Sequence, residues 1–474
     1  MSATDSNAPK RVLFFGFRRP LNQAALKSAL EAHRPEHVCL VSRSNFLGSM
    51  ADEFLSARNG FRNCGFETNE FRAFPDARFL DAMRPCEVVA LRMYERIFRG
   101  AFSGLAHRRR KNLYLQHVTY AYGLLVDGGY EELVFSEIPH HPFAYILHAV
   151  ALELGIRSRF FAQIQVKDTY VIAGRVDEMF DSIAEEYTRV RDDDVTLDDA
   201  NLAERMRVEI ERRTTDHKPF YMGVSDLSWQ KKLYQRSKKF FRADDRLRIH
   251  RTVRNGLAYM RARRPVPAAT ERFVYFPLHL QPEATTSPMG GVFTDQYLAL
   301  ETLVRALPEG WKIVVKENPA QKFAKRDYGF YEQLARTPQI HLVDRGVSTF
   351  DLIERCEAVA TITGTAGWEA LFKHKPAIVF GHAFYRSAPG AIAVEEVEEL
   401  EAALDAIDKG HAPEWSVDDL RRFLVAVQRQ SLRGVVDAVY SRDSDLPFED
   451  SVERYSRALG AILEGREPLL ASAD

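Results

Sequence analysis

The feature that most constrains this chain is an alternation of short apolar runs with helical patterns, and it occurs twice. In the first tract, residues 11–17, 37–41, 132–135 and 158–161 read as strands, with helices at 21–32 and 142–154. The second tract begins after Pro265-Val266-Pro267, a helix-ending boundary. There, 272–276, 311–316, 340–343, 358–362 and 377–380 read as strands, and 294–306, 328–336, 349–356 and 368–373 as helices. Helices at 395–408, 417–430 and 451–463 close the chain. Strands that alternate with helices form a mostly parallel sheet covered on both faces. The expected fold class is therefore α/β: two doubly wound Rossmann-like domains facing each other across a cleft. Ligands of such sheets bind beyond the carboxyl ends of the strands, and paired domains bind them between their facing ends.

A length of 474 residues suits two or three domains. The expected division is 1–225 for an acceptor domain, 226–268 for a basic helical linker and 269–440 for a nucleotide-sugar-binding domain. Residues 441–474 then supply a helix packing back on the first domain. The 65 basic and 66 acidic residues give a net charge of −1, but the charges are not evenly spread. Segment 230–264 holds thirteen Lys or Arg against Asp244 and Asp245, interleaved with Leu233, Phe240, Ile249, Leu257 and Tyr259. That pattern reads as amphipathic helix, suited either to packing as a linker or to an anionic membrane surface. Segment 177–204 holds eleven acidic residues against Arg189 and Arg191 and reads as a solvated helical insertion. No motif for nucleic acid accompanies the basic segment, so nucleic acid is not an expected partner. No stretch reaches the length of an apolar membrane span, and residues 1–10 lack the apolar core of a signal peptide. The expected location is cytoplasmic, peripheral at the inner face of the membrane. Cys39, Cys64, Cys86 and Cys356 form no CxxC or zinc spacing and read as free thiols.

Four segments could carry chemistry. Thr363-Gly364-Thr365-Ala366-Gly367-Trp368-Glu369 follows a strand and opens a helix. Small residues there allow close backbone approach, and the helix start favours a phosphate; a tight turn without a ligand is the alternative. Lys316-Glu317-Asn318-Pro319 also follows a strand, with Lys316 as a phosphate partner or the segment as an ordinary loop. The loop 277–286, containing Gln281 and Glu283, begins where a strand ends, as ligand loops do and as interdomain connections also do. In the first domain, Ser136-Glu137-Ile138-Pro139-His140-His141 offers a carboxylate and imidazoles at a strand end. Glu137 is the expected reactive carboxylate and His140 the second choice. Adjacent histidines diverge and no third ligand is evident, so no metal site is expected.

In order and spacing, these segments resemble the bacterial capsular polysaccharide biosynthesis proteins over 273–390. That family includes β-Kdo transferases of GT-B-like fold. The resemblance rests on the Gln281-Pro282-Glu283 loop, Lys316-Glu317-Asn318-Pro319, the 363–371 segment, and Lys375-Pro376 with Gly381-His382-Ala383-Phe384-Tyr385. It implies a glycosyltransferase with a nucleotide-sugar donor, CMP-Kdo being typical, and a glycan or lipid-linked glycan acceptor. No bound cofactor is implied. Carried over by position, Thr363, Gly364, Thr365, Ala366 and Gly367 would hold the donor phosphate. Glu369 would meet a ribose hydroxyl, Tyr385 would flank the site, and Gln281, Glu283, Lys316, Glu317 and Asn318 would complete the donor set. Where the family has His-Pro, this chain has Asn318-Pro319, and Asn cannot carry a proton or a charge. Lys316 takes over the phosphate in this reading. A non-catalytic glycan-binding protein and a sugar-nucleotide epimerase of the same fold are the alternatives.

Overall fold

The structure is a computed structural model that describes residues 8–57, 71–97, 107–192, 202–215 and 243–470, apart from 282, 328, 438 and 469. Two sheets organise it. The first runs β13-β6-β5-β4-β1-β2-β3 and the second β12-β11-β10-β7-β8-β9.

In the first sheet, β1 (Arg11–Phe15), β2 (His37–Ser42), β3 (Glu53–Ser56), β4 (Glu132–Phe135) and β5 (Arg157–Gln163) are parallel. Strands such as RVLFF and ELVF are apolar almost throughout because both of their faces are covered. One face carries α1 (Pro20–Ala32), whose proline sits at the helix start, where its missing N–H costs nothing. The other carries α2 (Ala77–Ala82), α3 (Arg84–Ile97), α4 (His107–Gly128) and α5 (Pro142–Glu153). β6 (Thr169–Ala173) turns back antiparallel to β5.

The acidic stretch is not the solvated insertion its charge suggests. Its described part forms α6 (Asp181–Asp192), which buries Ile183, Tyr187 and Val190. These stand at helical spacing between the acids, most of which face outward, while the buried Glu186 pairs with Arg429 of the returning chain at 2.9 Å. α7 (Glu204–Thr214) follows, and 193–201 lie outside the described residues.

The described part of the basic segment is α8 (Ala243–Ala262); 230–242 lie outside the described residues. α8 is not a free linker. It buries Asn255, Ala258, Tyr259 and Ala262 against the second domain. Asn255 donates to the Phe323 carbonyl at 2.8 Å.

The second sheet is parallel throughout: β7 (Phe273–Pro277), β8 (Lys312–Lys316), β9 (Ile340–Val343), β10 (Ala358–Thr361), β11 (Ala377–Val379) and β12 (Ala391–Ala393). Between them lie α9 (Gln296–Ala306), α10 (Phe330–Arg336), α11 (Thr349–Arg355) and α12 (Thr365–Leu371), and α13 (Val397–Asp408) follows β12. α12 begins at Thr365, three residues before the expected start, because extended Gly364 caps it.

After α13 the chain returns to the first domain, well before the expected boundary at 440. α14 (Val417–Arg429) opens on a capping box between Ser416 and Asp419 and packs on α6, with Phe423 at 5.4 Å from Tyr187. β13 (Leu432–Arg433) pairs antiparallel with β6. α15 (Phe448–Leu463) buries Tyr455, Leu459 and Ile462 beside Leu21, Ala25 and Leu26 of α1. Among the described residues, no helix is long and apolar enough to cross a membrane.

Candidate functional site

Both sheets place a reversal of strand order where the sequence places its motifs. In the second sheet the order reverses between β7 and β10, and a crevice beyond their carboxyl ends is the place where such sheets bind ligands. The loop after β7 begins with Leu278-His279, and the loop after β10 is Ile362-Thr363-Gly364.

His279 joins the two loops. The Thr363 N–H donates to its Nε2 at 3.4 Å, and the Thr361 hydroxyl lies 3.0 Å from the same nitrogen. Thr361 Oγ1 in turn accepts from the Gly364 N–H at 3.0 Å. Burial drives the His279 pKa down to about 4, so the imidazole is neutral, and its Nε2 serves as acceptor. His279 is absent from the expected donor set, although its position two residues past a strand end marks it.

The small residues of the 363–369 segment are required by packing. A Cβ on Gly364 would lie 2.7 Å from Thr361 Oγ1, and one on Gly367 2.6 Å from Tyr385 Oη. Tyr385 donates to the Gly364 carbonyl, which puts it against the loop it was expected to flank. The Thr363 hydroxyl donates to the Thr285 carbonyl at 2.7 Å and is buried, so it holds the loop rather than a ligand. Thr365 begins α12, where Ala366 is also placed.

Lys316 ends β8 on the sheet face covered by α11. It is only 7% exposed, and its ammonium donates to Thr349 Oγ1 at 2.7 Å at the start of α11. Among the described residues no carboxylate lies within ion-pair distance of it. Burial lowers its pKa. A buried ammonium without a counter-ion is costly unless an anion joins it. Asn318 accepts from the Ala320 N–H at 2.9 Å and shapes the turn.

Glu317 and Gln281, both expected in the donor set, are corrected first. Glu317 is fully buried, with Arg326 Nε at 2.8 Å from Oε2, Arg326 Nη2 at 2.6 Å from Oε1, and the Tyr331 hydroxyl donating to Oε2 at 2.6 Å. Gln281 accepts from Arg326 Nη1 at 2.9 Å and donates to the Thr294 carbonyl at 2.9 Å. Arg326 also donates to the His279 carbonyl at 2.9 Å. Glu317 and Gln281 therefore build the wall that holds His279 in place. Glu283 contributes through its carbonyl, which accepts from Ser287 at 3.0 Å.

Glu369 faces the first domain. Arg213 of α7 donates to it at 3.0 Å and to Glu209 at 2.7 Å, and Trp368 Nε1 donates to Glu209 at 2.9 Å. Burial raises the Glu369 pKa, against the pull of Arg213. A carboxylate committed to Arg213 sets the joint between domains, which is a correction to its expected role at a ribose.

The first sheet reverses between β1 and β4. There Gly16 has φ +99°, and a Cβ on it would come within 2.5 Å of Ser136 Oγ, so only glycine fits. The Phe17 N–H donates to that Ser136 hydroxyl at 3.0 Å. Glu137 pairs with Arg18 at 3.3 Å and has His140 Nε2 at 4.0 Å. His140 Nδ1 lies 2.9 Å from the Ile138 carbonyl. The sequence reading missed a third member, Asp437. The segment carrying it is pinned by Gln163, whose Oε1 accepts from the Val436 N–H at 2.9 Å, and by Asn22, which donates to the Val436 carbonyl at 3.0 Å. Burial first, and then the charge of Glu137, raise the Asp437 pKa, while His140 and Arg19 lower it. A carboxylate supplied from 300 residues away leaves no local signal. Cys39, Cys86 and Cys356 are buried, and burial pushes each thiol up to about 12, which leaves them inert; Cys64 lies outside the described residues.

Residues 264–393 match the family model described as capsule polysaccharide biosynthesis protein. No curated protein matches the chain. Among solved structures, the β-Kdo 2,7 transferase of Thermosulfurimonas dismutans KpsC is 12% identical, with 71% of this chain and 88% of that chain covered and a TM-score of 0.34. The β-Kdo 2,4 transferase of the same KpsC is 12% identical, covering 69% and 88%, with a TM-score of 0.29. A UDP-GlcNAc 2-epimerase from Methanocaldococcus jannaschii is 12% identical, covering 87% and 98%, with a TM-score of 0.25. The segment matched by that family model, 264–393, carries the second switch point and its loops.

Proposed function

We propose that the protein is a glycosyltransferase of capsule or other surface polysaccharide synthesis. It takes a sugar from a nucleotide donor at the second switch point and passes it to a glycan or glycolipid acceptor at the first. Lys316 carries this reading: a buried ammonium at a strand's carboxyl end, with one hydroxyl as its partner, suits a donor phosphate. In the reaction the acceptor hydroxyl gives its proton to Glu137, or to His140 beside it. The hydroxyl oxygen bonds to the anomeric carbon. The bond from that carbon to the phosphate oxygen breaks, and the electron pair leaves with the nucleotide. Lys316 stabilises the charge that develops there. CMP-Kdo is the donor that the family resemblance favours. The proposed partners are the donor, a glycan or lipid-linked glycan, and an anionic membrane surface where such acceptors reside.

Calorimetry with CMP, UDP and GDP tests the donor site. CMP should bind, and Lys316→Met should weaken it by about 10- to 100-fold, the loss expected for one charge-assisted contact. Equal binding in the variant removes Lys316 from the site. The second reading, a glycan-binding protein without turnover, is favoured by Asn318, which cannot move a proton. It predicts that none of the three nucleotides binds.

A further inference from the structure

We propose that α8 is a membrane-docking helix whose outward apolar row enters the interface of an anionic phospholipid bilayer. Ile249, Val253, Leu257 and Met260 are 43%, 56%, 51% and 54% exposed. Their spacing of four, four and three residues puts them on one face, opposite Asn255, Ala258 and Ala262, which meet the protein core. A surface helix normally turns polar residues outward. This one is apolar on both faces, and the outer face has no covering element among the described residues.

The surroundings indicate the kind of surface. A groove of about 360 Å³ runs between α8 and α10, with Val253, Leu257 and Ala335 along it and His250, Arg254 and Arg261 among its lining. Arg254 is tied to Glu332 at 3.4 Å. Arg261 is exposed and makes no ion pair among the described residues. Of the thirteen basic residues that segment 230–264 carries against two acidic ones, five have described side chains; Arg254 and Arg263 pair with Glu332 and Asp344, and Arg251, Arg261 and Arg264 make no ion pair among the described residues. An acidic protein would meet the cations and leave the apolar row wet. A neutral apolar partner would leave the cations without a counter-charge. Apolar row and cations together match a bilayer interface bearing negative headgroups. The inference relies on the proposed glycosyltransferase only for its purpose, since vesicle binding needs neither donor nor acceptor.

The test is co-sedimentation of the full chain with phosphatidylcholine vesicles, with and without phosphatidylglycerol, at low and high salt. Binding is expected on the anionic vesicles at low salt, weakened by salt. Ile249→Ser, Val253→Ser, Leu257→Ser and Met260→Ser together should reduce it by about tenfold or more. Val126→Ser, on a different exposed apolar residue, should leave it unchanged. Absence of binding at low salt, equal binding to both vesicle types, or full binding by the fourfold variant would each overturn the proposal. So would a loss of dimer in the fourfold variant by analytical ultracentrifugation, since a second copy would then cover the face. Vesicle binding without nucleotide binding would leave the docking helix standing and remove the donor site; the reverse result would do the opposite.

Discussion

Lys316 poses the question whether a residue is kept for the fold or for a ligand. Its burial without a carboxylate costs stability in the free protein. Lys316→Met should therefore unfold at equal or higher denaturant than wild type while nucleotide affinity drops, and a matched loss of stability would mark the lysine as structural. The lowered pKa adds a sign: in the alkaline range below 10.5 the unfolded chain holds this proton more tightly, so stability rises with pH there. His279 acts at the other end of the scale. Its folded pKa of about 4 lies below the free value of 6.5, so the unfolded chain takes up a proton first and stability falls as pH drops from 6.5 towards 4. His148, at about 4, adds to the same loss. His279→Asn should flatten the slope of unfolding free energy against pH between these values by up to about 1.4 kcal/mol per unit. At the first switch point, Glu137→Gln and Asp437→Asn should each lower turnover without raising the donor KM, because the proposed donor site is on the other sheet. Donor-dependent nucleotide release measures both, and full turnover in Glu137→Gln would remove it from the reaction. Residue types and strand patterns placed Lys316, Glu137 and His140 at the carboxyl ends of strands, where the structure also has them. They misplaced Glu317 and Gln281 because the partner, Arg326, lies in a later loop that nothing in the local pattern joins to them.

At the scale of elements, the joint between α7 and α12 links the loop before α12 to the first domain. Arg213 stands between two buried carboxylates, Glu209 and Glu369, and Trp368 donates to the first of these. Arg213→Met should cost about 3–5 kcal/mol, since it leaves buried charges unpaired. Urea unfolding measures this, and Arg421→Met, at an exposed i,i+3 pair with Asp418, supplies the comparison and should stay within about 0.5 kcal/mol. A small loss for Arg213→Met would show that the carboxylates find protons or other partners easily. Nine of the thirteen described strands could be read from their apolar runs, because strands covered on both faces need no alternation, whereas β3, β6, β12 and β13 carry too short or too mixed a pattern to be read that way. The role of α6 could not be read this way. Counting its acids hid the apolar residues Ile183, Tyr187 and Val190 among them, and burial follows the periodic face rather than the net charge.

For the whole molecule, one buried cluster spans both domains, beside others that belong to a single domain. Phe143 of the first domain, Phe423 of the returning α14, and Met289, Trp368, Phe384 and Tyr385 of the second domain belong to the same buried cluster. Trp368 is its centre, with ring centroids at 4.9 Å from Phe372, 5.2 Å from Phe384 and 5.8 Å from Phe423. The return of α14, β13 and α15 makes the first domain discontinuous in sequence, so the second domain is an insertion between two parts of the first. Sequence patterns are local and could show two alternating tracts, but not that the last sixty residues complete the earlier one. Insertion and a shared core should make the domains unfold together, so scanning calorimetry of the wild type should show a single cooperative transition. Trp368→Ala removes the ring that touches both sides and should cost about 3–5 kcal/mol. It also removes the bond to Glu209, the other tie across the joint. The transition should then split in two, the lower one abolishing nucleotide binding if the second domain is the less stable partner. A Trp368→Ala protein that still unfolds in one step at lower temperature would show instead that the insertion alone, through its two chain crossings, couples the domains.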